Sequence, residues 1–99
     1  LIKSVFEEIE NFPENFKCNI NICDNGSGKN VVDFLKQFKE INTIYFDKNM
    51  GENIAKYTLI IESLKTNPDY IVILDNDLKI VKNSIIKMIE YLKKNKNVG

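Results

Sequence analysis

Tyr70-Ile71-Val72-Ile73-Leu74-Asp75-Asn76-Asp77 decides the fold, because an apolar run ends by delivering two carboxylates in a row of three polar residues. Such a run, bounded by turn residues, reads as a buried strand. Open α/β folds bind their ligands where strands of this kind emerge. Residues two apart in extended backbone point the same way, with Cα atoms roughly 6 to 7 Å apart, so Asp75 and Asp77 can face one site. Like charges gathered there favour a cation between them. Carboxylates without His or Cys partners suit hard, oxygen-seeking Mg²⁺ or Mn²⁺, with phosphates and waters completing the shell. A plain solvated turn accounts for the same tripeptide, since Asp and Asn follow strands for local hydrogen-bonding reasons. The tripeptide alone leaves both readings open.

Outward from that run the chain alternates helices and strands. Ile2, Val5, Phe6 and Ile9 share a helical face that ends near Asn11 to Pro13. Lys17 to Cys23 reads as a strand with apolar alternation at Cys18, Ile20 and Ile22, and Asp24-Asn25-Gly26-Ser27-Gly28 as a turn. Val31, Leu35 and Phe38, with Val32 and Phe34 beside them, mark a second helix, and Thr43 to Phe46 a short strand. A third helix is expected from about Gly51 to Lys65, burying Ile54, Ala55, Thr58, Ile61 and Leu64. Pro68 breaks the chain before Tyr70 to Leu74, and a fourth helix carries Ile85, Ile86, Ile89 and Leu92. Val98-Gly99 can open a further strand.

Strands separated by helices imply parallel pairing with right-handed crossovers. The loops Asp24 to Gly28, Asp47 to Gly51 and Asp75 to Asp77 then gather on one edge of the sheet, which is the main argument for a ligand site. Each loop also has a purely structural explanation. Ser27 or Asn30 can cap the second helix, Asn49 and Glu52 are spaced as a capping box, and Asp24 can accept backbone amides at a helix entrance.

Composition narrows the classes of function. The 99 residues make one small domain, and 43% hydrophobic content is ordinary for a globular chain. Fourteen basic residues balance fourteen acidic ones, so no net field attracts nucleic acid or an anionic membrane. In an extended strand Cys18 and Cys23 point to opposite faces with Cα atoms roughly 16 Å apart, which excludes a bridge between them. With no His and no further Cys there is no zinc set, and a reduced, cytoplasmic setting is expected. Cys23 reads as a small core residue. No signal peptide and no apolar run long enough to span a bilayer is present, which leaves any membrane association to other parts of a longer protein. The chain begins with Leu1 inside a helical pattern and reads as a piece of something longer.

The order of motifs resembles the nucleotide-binding half of family 2 glycosyltransferases with the GT-A fold. The resemblance rests on Ile22-Cys23-Asp24-Asn25-Gly26-Ser27, on Asn49-Met50-Gly51 opening a helix with Ala55-Lys56, and on Tyr70 to Asp77, and it covers nearly the whole chain. It implies a three-layer, Rossmann-like α/β domain with a small, mainly parallel sheet over residues 1–99. It implies inverting, metal-dependent transfer of a sugar from a nucleoside diphosphate sugar, often of the uridine type, to a hydroxyl on a saccharide, lipid or protein acceptor. By the same resemblance Asp24 accepts a hydrogen bond from the nucleobase, Asn49 and Gly51 shape the cleft, Lys56 lies near the nucleotide, Asp75 contacts the ribose directly or through water, and Asp77 ligates Mg²⁺ or Mn²⁺. The general base belongs to the half of the family domain that follows this segment.

The sequence departs from the family at Gly28-Lys29, where Thr-Asp is frequent, at Tyr57 in place of Asn, and at Lys82 in place of Pro. The family's first strand, central in its sheet, is also absent. That leaves three expected outcomes: the strands at Lys17 to Cys23 and Tyr70 to Leu74 pair directly, a second copy of the chain fills the gap as a homo-oligomer, or the chain is only marginally folded. Direct pairing gives the strand order second, first, third.

Other classes fit the residues less well. Gly28-Lys29 lacks the rest of a P-loop. Asp75-Asn76-Asp77-Leu78 resembles the haloacid-dehalogenase phosphatase pattern, but there the motif belongs to the first strand of the core and Thr or Val usually follows. A receiver-like domain phosphorylated on Asp75 needs an acidic pair after the first strand and a later Lys, where this chain offers only Asp24. A catalytically incomplete module that binds nucleotide weakly, or only packs against another domain, is the main alternative to an enzyme.

Overall fold

The computed structural model describes residues 2–75 and 80–95. The chain divides into two compact units, residues 19–71 and residues 1–18 with 72–99. In the first, β1 (Ile20–Asn25), α2 (Lys29–Leu35), β2 (Ile41–Phe46) and α3 (Glu52–Leu64) follow one another, and the second holds α1 (Ile2–Glu10) and α4 (Ser84–Lys94).

β1 and β2 pair in parallel with Ile20 opposite Ile41 and Asn25 opposite Phe46. This is the expected α/β pattern, with α2 as the crossover. The expected strand Lys17 to Cys23 is shifted towards the C-terminus, since β2 begins at Ile41 and nothing in the ladder faces Lys17 to Asn19. Leu35 at the end of α2 and Ile41 at the start of β2 are buried, which pins the crossover at one end of the strands. Thr43, on β2, buries its hydroxyl without a hydrogen-bond partner. Thr43→Val keeps the shape and removes the orphan group, so it is expected to raise stability by about 1 kcal/mol in urea unfolding.

α3 docks on β1, but through a different face from the one its periodicity announces. Ala55, Thr58 and Leu59 are half-buried, whereas Ile54, Ile61 and Leu64 are exposed by 47%, 44% and 58%, so the expected burial of those three is corrected. Polar contacts set the rotation of the helix. Asn21 Nδ2 donates to Ser63 Oγ at 3.2 Å, and Asn42 Nδ2 donates to Asn21 Oδ1 at 3.1 Å and to Glu62 Oε1 at 3.0 Å. Asn21 and Asn42 are register partners, so the network turns Glu62 and Ser63 towards the strands and the Ile54 stripe away. Hydrogen bonds from Lys65 and then Asn42 hold the Glu62 carboxyl below the usual glutamate range.

Tyr70 to Leu74 does not form the expected strand: among the described residues the sheet has two strands, β1 and β2. Residues 70–74 have no regular structure, and Ile71, Val72 and Ile73 are exposed. The order second, first, third therefore does not form. A strand is held by ladder hydrogen bonds to a neighbour, and among the described residues the ladder joins β1 to β2 alone and does not include residues 70–74. Val98-Gly99 lies outside the described residues.

In the other unit the helices follow the sequence closely. Ile2, Val5, Phe6 and Ile9 of α1 are half-buried, and on α4 Ile85 is buried with Ile86, Ile89 and Leu92 half-buried. Phe12 and Phe16 meet edge to face at 5.6 Å between ring centroids, and Lys93 lies 4.9 Å over the Phe16 ring. Glu8, buried on α1, accepts the backbone N–H of Asn83 at the start of α4 at 3.1 Å. Among the described residues no helix is long and apolar enough to cross a membrane.

Candidate functional site

The loops that follow β1 and β2 meet at the carboxyl ends of the strands. Gly26 has φ of 74°, and a Cβ on it would stand 2.5 Å from the carbonyl carbon of Lys48, so the two backbones approach as closely as a side-chain-free residue allows. Asn25, the last residue of β1, laces them: its Oδ1 accepts the Met50 N–H at 2.8 Å and its Nδ2 donates to the Gly51 carbonyl at 3.2 Å. The sequence showed Asn25-Gly26 only as a flexible turn. The signal that could have singled out Asn25 is its place at the end of a strand whose next parallel neighbour also ends in a polar loop.

Asp24 is buried, at 4% exposure, and its Oδ1 accepts the Ser27 N–H at 3.4 Å. It thus takes the backbone-amide role expected of a carboxylate at a helix entrance. Neither Ser27 nor Asn30 caps α2, whose N-cap is Gly28 without a side-chain bond.

Asn49 does not form a capping box with Glu52. Its Oδ1 accepts the N–H of Gly51, two residues on, at 2.8 Å, and Gly51 is the N-cap of α3 without a side-chain bond. Gly51 has φ of 91° and ψ of 155°, a region essentially reserved for glycine. Asn49 and Asn25 therefore hold the Asp47 to Gly51 loop from inside and from outside.

Lys56, one turn into α3, pairs with Glu52 at 2.8 Å with its side chain 41% exposed. That hydrogen bond, followed by the charge of Lys56, holds the Glu52 carboxyl below its ordinary value. Burial first, and then the Asp24 carboxylate, raise the Cys23 thiol. Neither Cys18 nor Cys23 is in a disulfide. Because the thiolate is the reactive form, alkylation of Cys23 in a Cys18→Ser background is expected to have its midpoint above the free-thiol pH of about 8.5. The midpoint should fall in Asp24→Asn, and one at or below the free-thiol value would contradict the placement of Cys23.

The unit 19–71 thus brings Asp24, Asn49 and Gly51 to one strand edge, with Lys56 on the helix that follows. Asp75 is an exposed residue of the other unit, and Asp77 lies outside the described residues, so the facing carboxylate pair does too. No group of three or more His, Cys, Asp or Glu that could hold a metal ion occurs among the described residues. The exposed Asp75 carboxylate is a hard oxygen donor, in keeping with a cation that takes its remaining ligands from phosphate and water.

The model of glycosyl transferase family 2 matches residues 1–99, and the chain belongs to that family. No curated protein and no solved structure matches it. Membership in a family of glycosyltransferases agrees with the resemblance carried by the three polar loops, and the α/β architecture agrees with the fold the resemblance implies.

Proposed function

We propose that this chain is the nucleotide-sugar-binding part of an inverting, metal-dependent glycosyltransferase. The observation that carries the reading is the interlocked loop pair at the ends of β1 and β2, because it fixes Asp24, Asn49 and Gly51 beside one another on a family-matched strand edge. In this reading Asp24 accepts from the nucleobase, uracil for a uridine-type donor. Asn49 and Gly51 form the cleft wall. Lys56 exchanges its surface partner Glu52 for the diphosphate, at little cost since exposed ion pairs of this kind contribute less than about 1 kcal/mol. Asp75 contacts the ribose, and Asp77 with Asp75 would hold Mg²⁺ or Mn²⁺.

The reaction forms a bond between the acceptor hydroxyl oxygen and the anomeric carbon and breaks the bond from that carbon to the diphosphate. The acceptor proton passes to a general base, a role to which no residue of this chain is assigned. The metal, when bound, supplies positive charge opposite the departing diphosphate.

Amide NMR titration with uridine diphosphate, with and without Mg²⁺, tests the reading. Expected are Mg²⁺-dependent shifts at Asp24, Asn49, Gly51 and Asp75. A folded chain without shifts overturns it and favours a module that packs on another domain, a second reading to which the exposed Ile54, Ile61 and Leu64 stripe of α3 gives support.

A further inference from the structure

Asn25 is the one asparagine of this chain that glycine follows. The pair carries a chemistry of its own, because the backbone nitrogen after an asparagine can attack the side-chain amide and close a cyclic imide. Glycine puts no side chain in the way and lets the backbone turn to permit the approach. In the folded chain both reacting groups are held. Asn25 Oδ1 accepts the Met50 N–H at 2.8 Å and Nδ2 donates to the Gly51 carbonyl at 3.2 Å. The Gly26 backbone lies against that of Lys48 and Asn49, so closely that a Cβ would not fit. Closing the ring moves Oδ1 off Met50, and expelling Nδ2 takes it from Gly51. The reaction therefore needs the two loops to part, a local opening of the kind that precedes global unfolding.

We propose that Asn25 is a self-modification site gated by the paired loops. When they part, the Gly26 nitrogen bonds to Asn25 Cγ, the Cγ–Nδ2 bond breaks, and Nδ2 leaves as ammonia with the Gly26 amide proton. Water then opens the imide. Breaking the nitrogen's bond to the side-chain carbonyl leaves aspartate, and breaking its bond to the backbone carbonyl leaves isoaspartate, with the chain rerouted through the side chain. Either product carries a carboxylate, which has no N–H to donate, so the bond to the Gly51 carbonyl is not remade. It also adds a negative charge next in the chain to the buried Asp24. Each opening that ends in this reaction thus removes a clasp the unmodified loops would have closed again. The chemistry is independent of the nucleotide reading and stands or falls without it.

The test is timed incubation of the whole chain at neutral pH, folded and in urea, followed by peptide mass mapping that reads the exchange of NH₂ for OH and separates the two isomers. In urea Asn25 is expected to convert ahead of every other asparagine, to both products. In the folded chain its conversion should be about tenfold or more slower, as two hydrogen bonds of ordinary net strength imply. Asn49→Ala removes the bond from Asn49 Oδ1 to the Gly51 N–H that holds the loop from inside and touches neither reacting residue. It is expected to convert several-fold faster than the parent when folded. Ile85→Ala truncates a buried residue of the other unit and should leave the folded rate near the parent's. Asn25→Asp, as the product, should exchange the Met50 and Gly51 amide hydrogens several-fold faster. Equal rates folded and in urea, an Asn25 that outlasts other asparagines in urea, or equal acceleration by Asn49→Ala and Ile85→Ala would overturn the proposal.

Discussion

Replacing Gly26 with alanine is expected to cost about 2 to 5 kcal/mol of stability, the sum of left-handed backbone strain and a forced shift of packed groups. The new Cβ would stand 2.5 Å from Lys48 C, 2.6 Å from Asn49 N and 2.7 Å from Lys48 Cα. All three are backbone atoms, so no side chain can swing aside. The Asp47 to Gly51 loop must move, and the Asn25 bonds to Met50 and Gly51 stretch with it. Against a total stability of about 5 to 15 kcal/mol for a typical domain, such a loss is large. Gly51→Ala is the control, because Gly51 also has positive φ but a Cβ there meets nothing within 4 Å. It should cost only the strain, about 1 to 3 kcal/mol. Urea unfolding of the two variants decides the matter. Equal losses would show that the close approach of the loops contributes nothing.

Where sequence and structure agree, a local signal was enough. The 3.6-residue spacing of Ile2, Val5, Phe6 and Ile9, and of Ile85, Ile86, Ile89 and Leu92, names faces that are buried or half-buried in α1 and α4. The β1–α2–β2 crossover was legible for the same reason, since apolar strand segments flank a helical pattern and polar turns punctuate them. Failure came where a partner elsewhere in space makes the choice. α3 carries an apolar stripe that periodicity assigns to the core, yet Asn21, Asn42 and Ser63 hydrogen-bond across the strand-helix contact and turn the stripe outward. Nothing in the local pattern of α3 reports two asparagines paired across β1 and β2.

Tyr70 to Leu74 is the sharper case, because its composition is right for a buried strand and its backbone is not one. Strand propensity describes how side chains fit a pleated, half-buried surface. It does not create the neighbouring ladder. The candidate site divides along the same line: that Asp24 and the Asn49 to Gly51 loop lie on one edge was readable from topology, whereas the side-chain lacing by Asn25 was not, because it depends on the approach distance of two loops far apart in sequence.

Asp77→Asn is expected to remove the Mg²⁺-dependent part of uridine diphosphate binding, a loss of about a hundredfold in affinity. Asparagine keeps the shape and one acceptor oxygen but removes the charge. Two unit charges at 4 Å interact by about 4 kcal/mol in the dielectric near a protein surface, and a divalent ion doubles the charge on one side. Retaining only half of that attraction still exceeds the roughly 2.8 kcal/mol that a hundredfold change requires, at about 1.4 kcal/mol per tenfold step. Asp75→Asn separates the two carboxylates by role. If Asp75 serves the ribose alone, its loss weakens binding about equally with and without Mg²⁺; if it also holds the metal with Asp77, part of the Mg²⁺ increment is lost with it, whereas the loss of Asp77 collapses the difference between the two conditions. The phosphoryl-acceptor reading of Asp75 makes the opposite demand: beryllium fluoride with Mg²⁺ would shift the Asp75 amide without any nucleotide present. Calorimetric titration of the three chains with uridine diphosphate in Mg²⁺ and in EDTA therefore yields a pattern specific to a metal-diphosphate site, and a Mg²⁺ increment that survives in Asp77→Asn places the metal on other ligands.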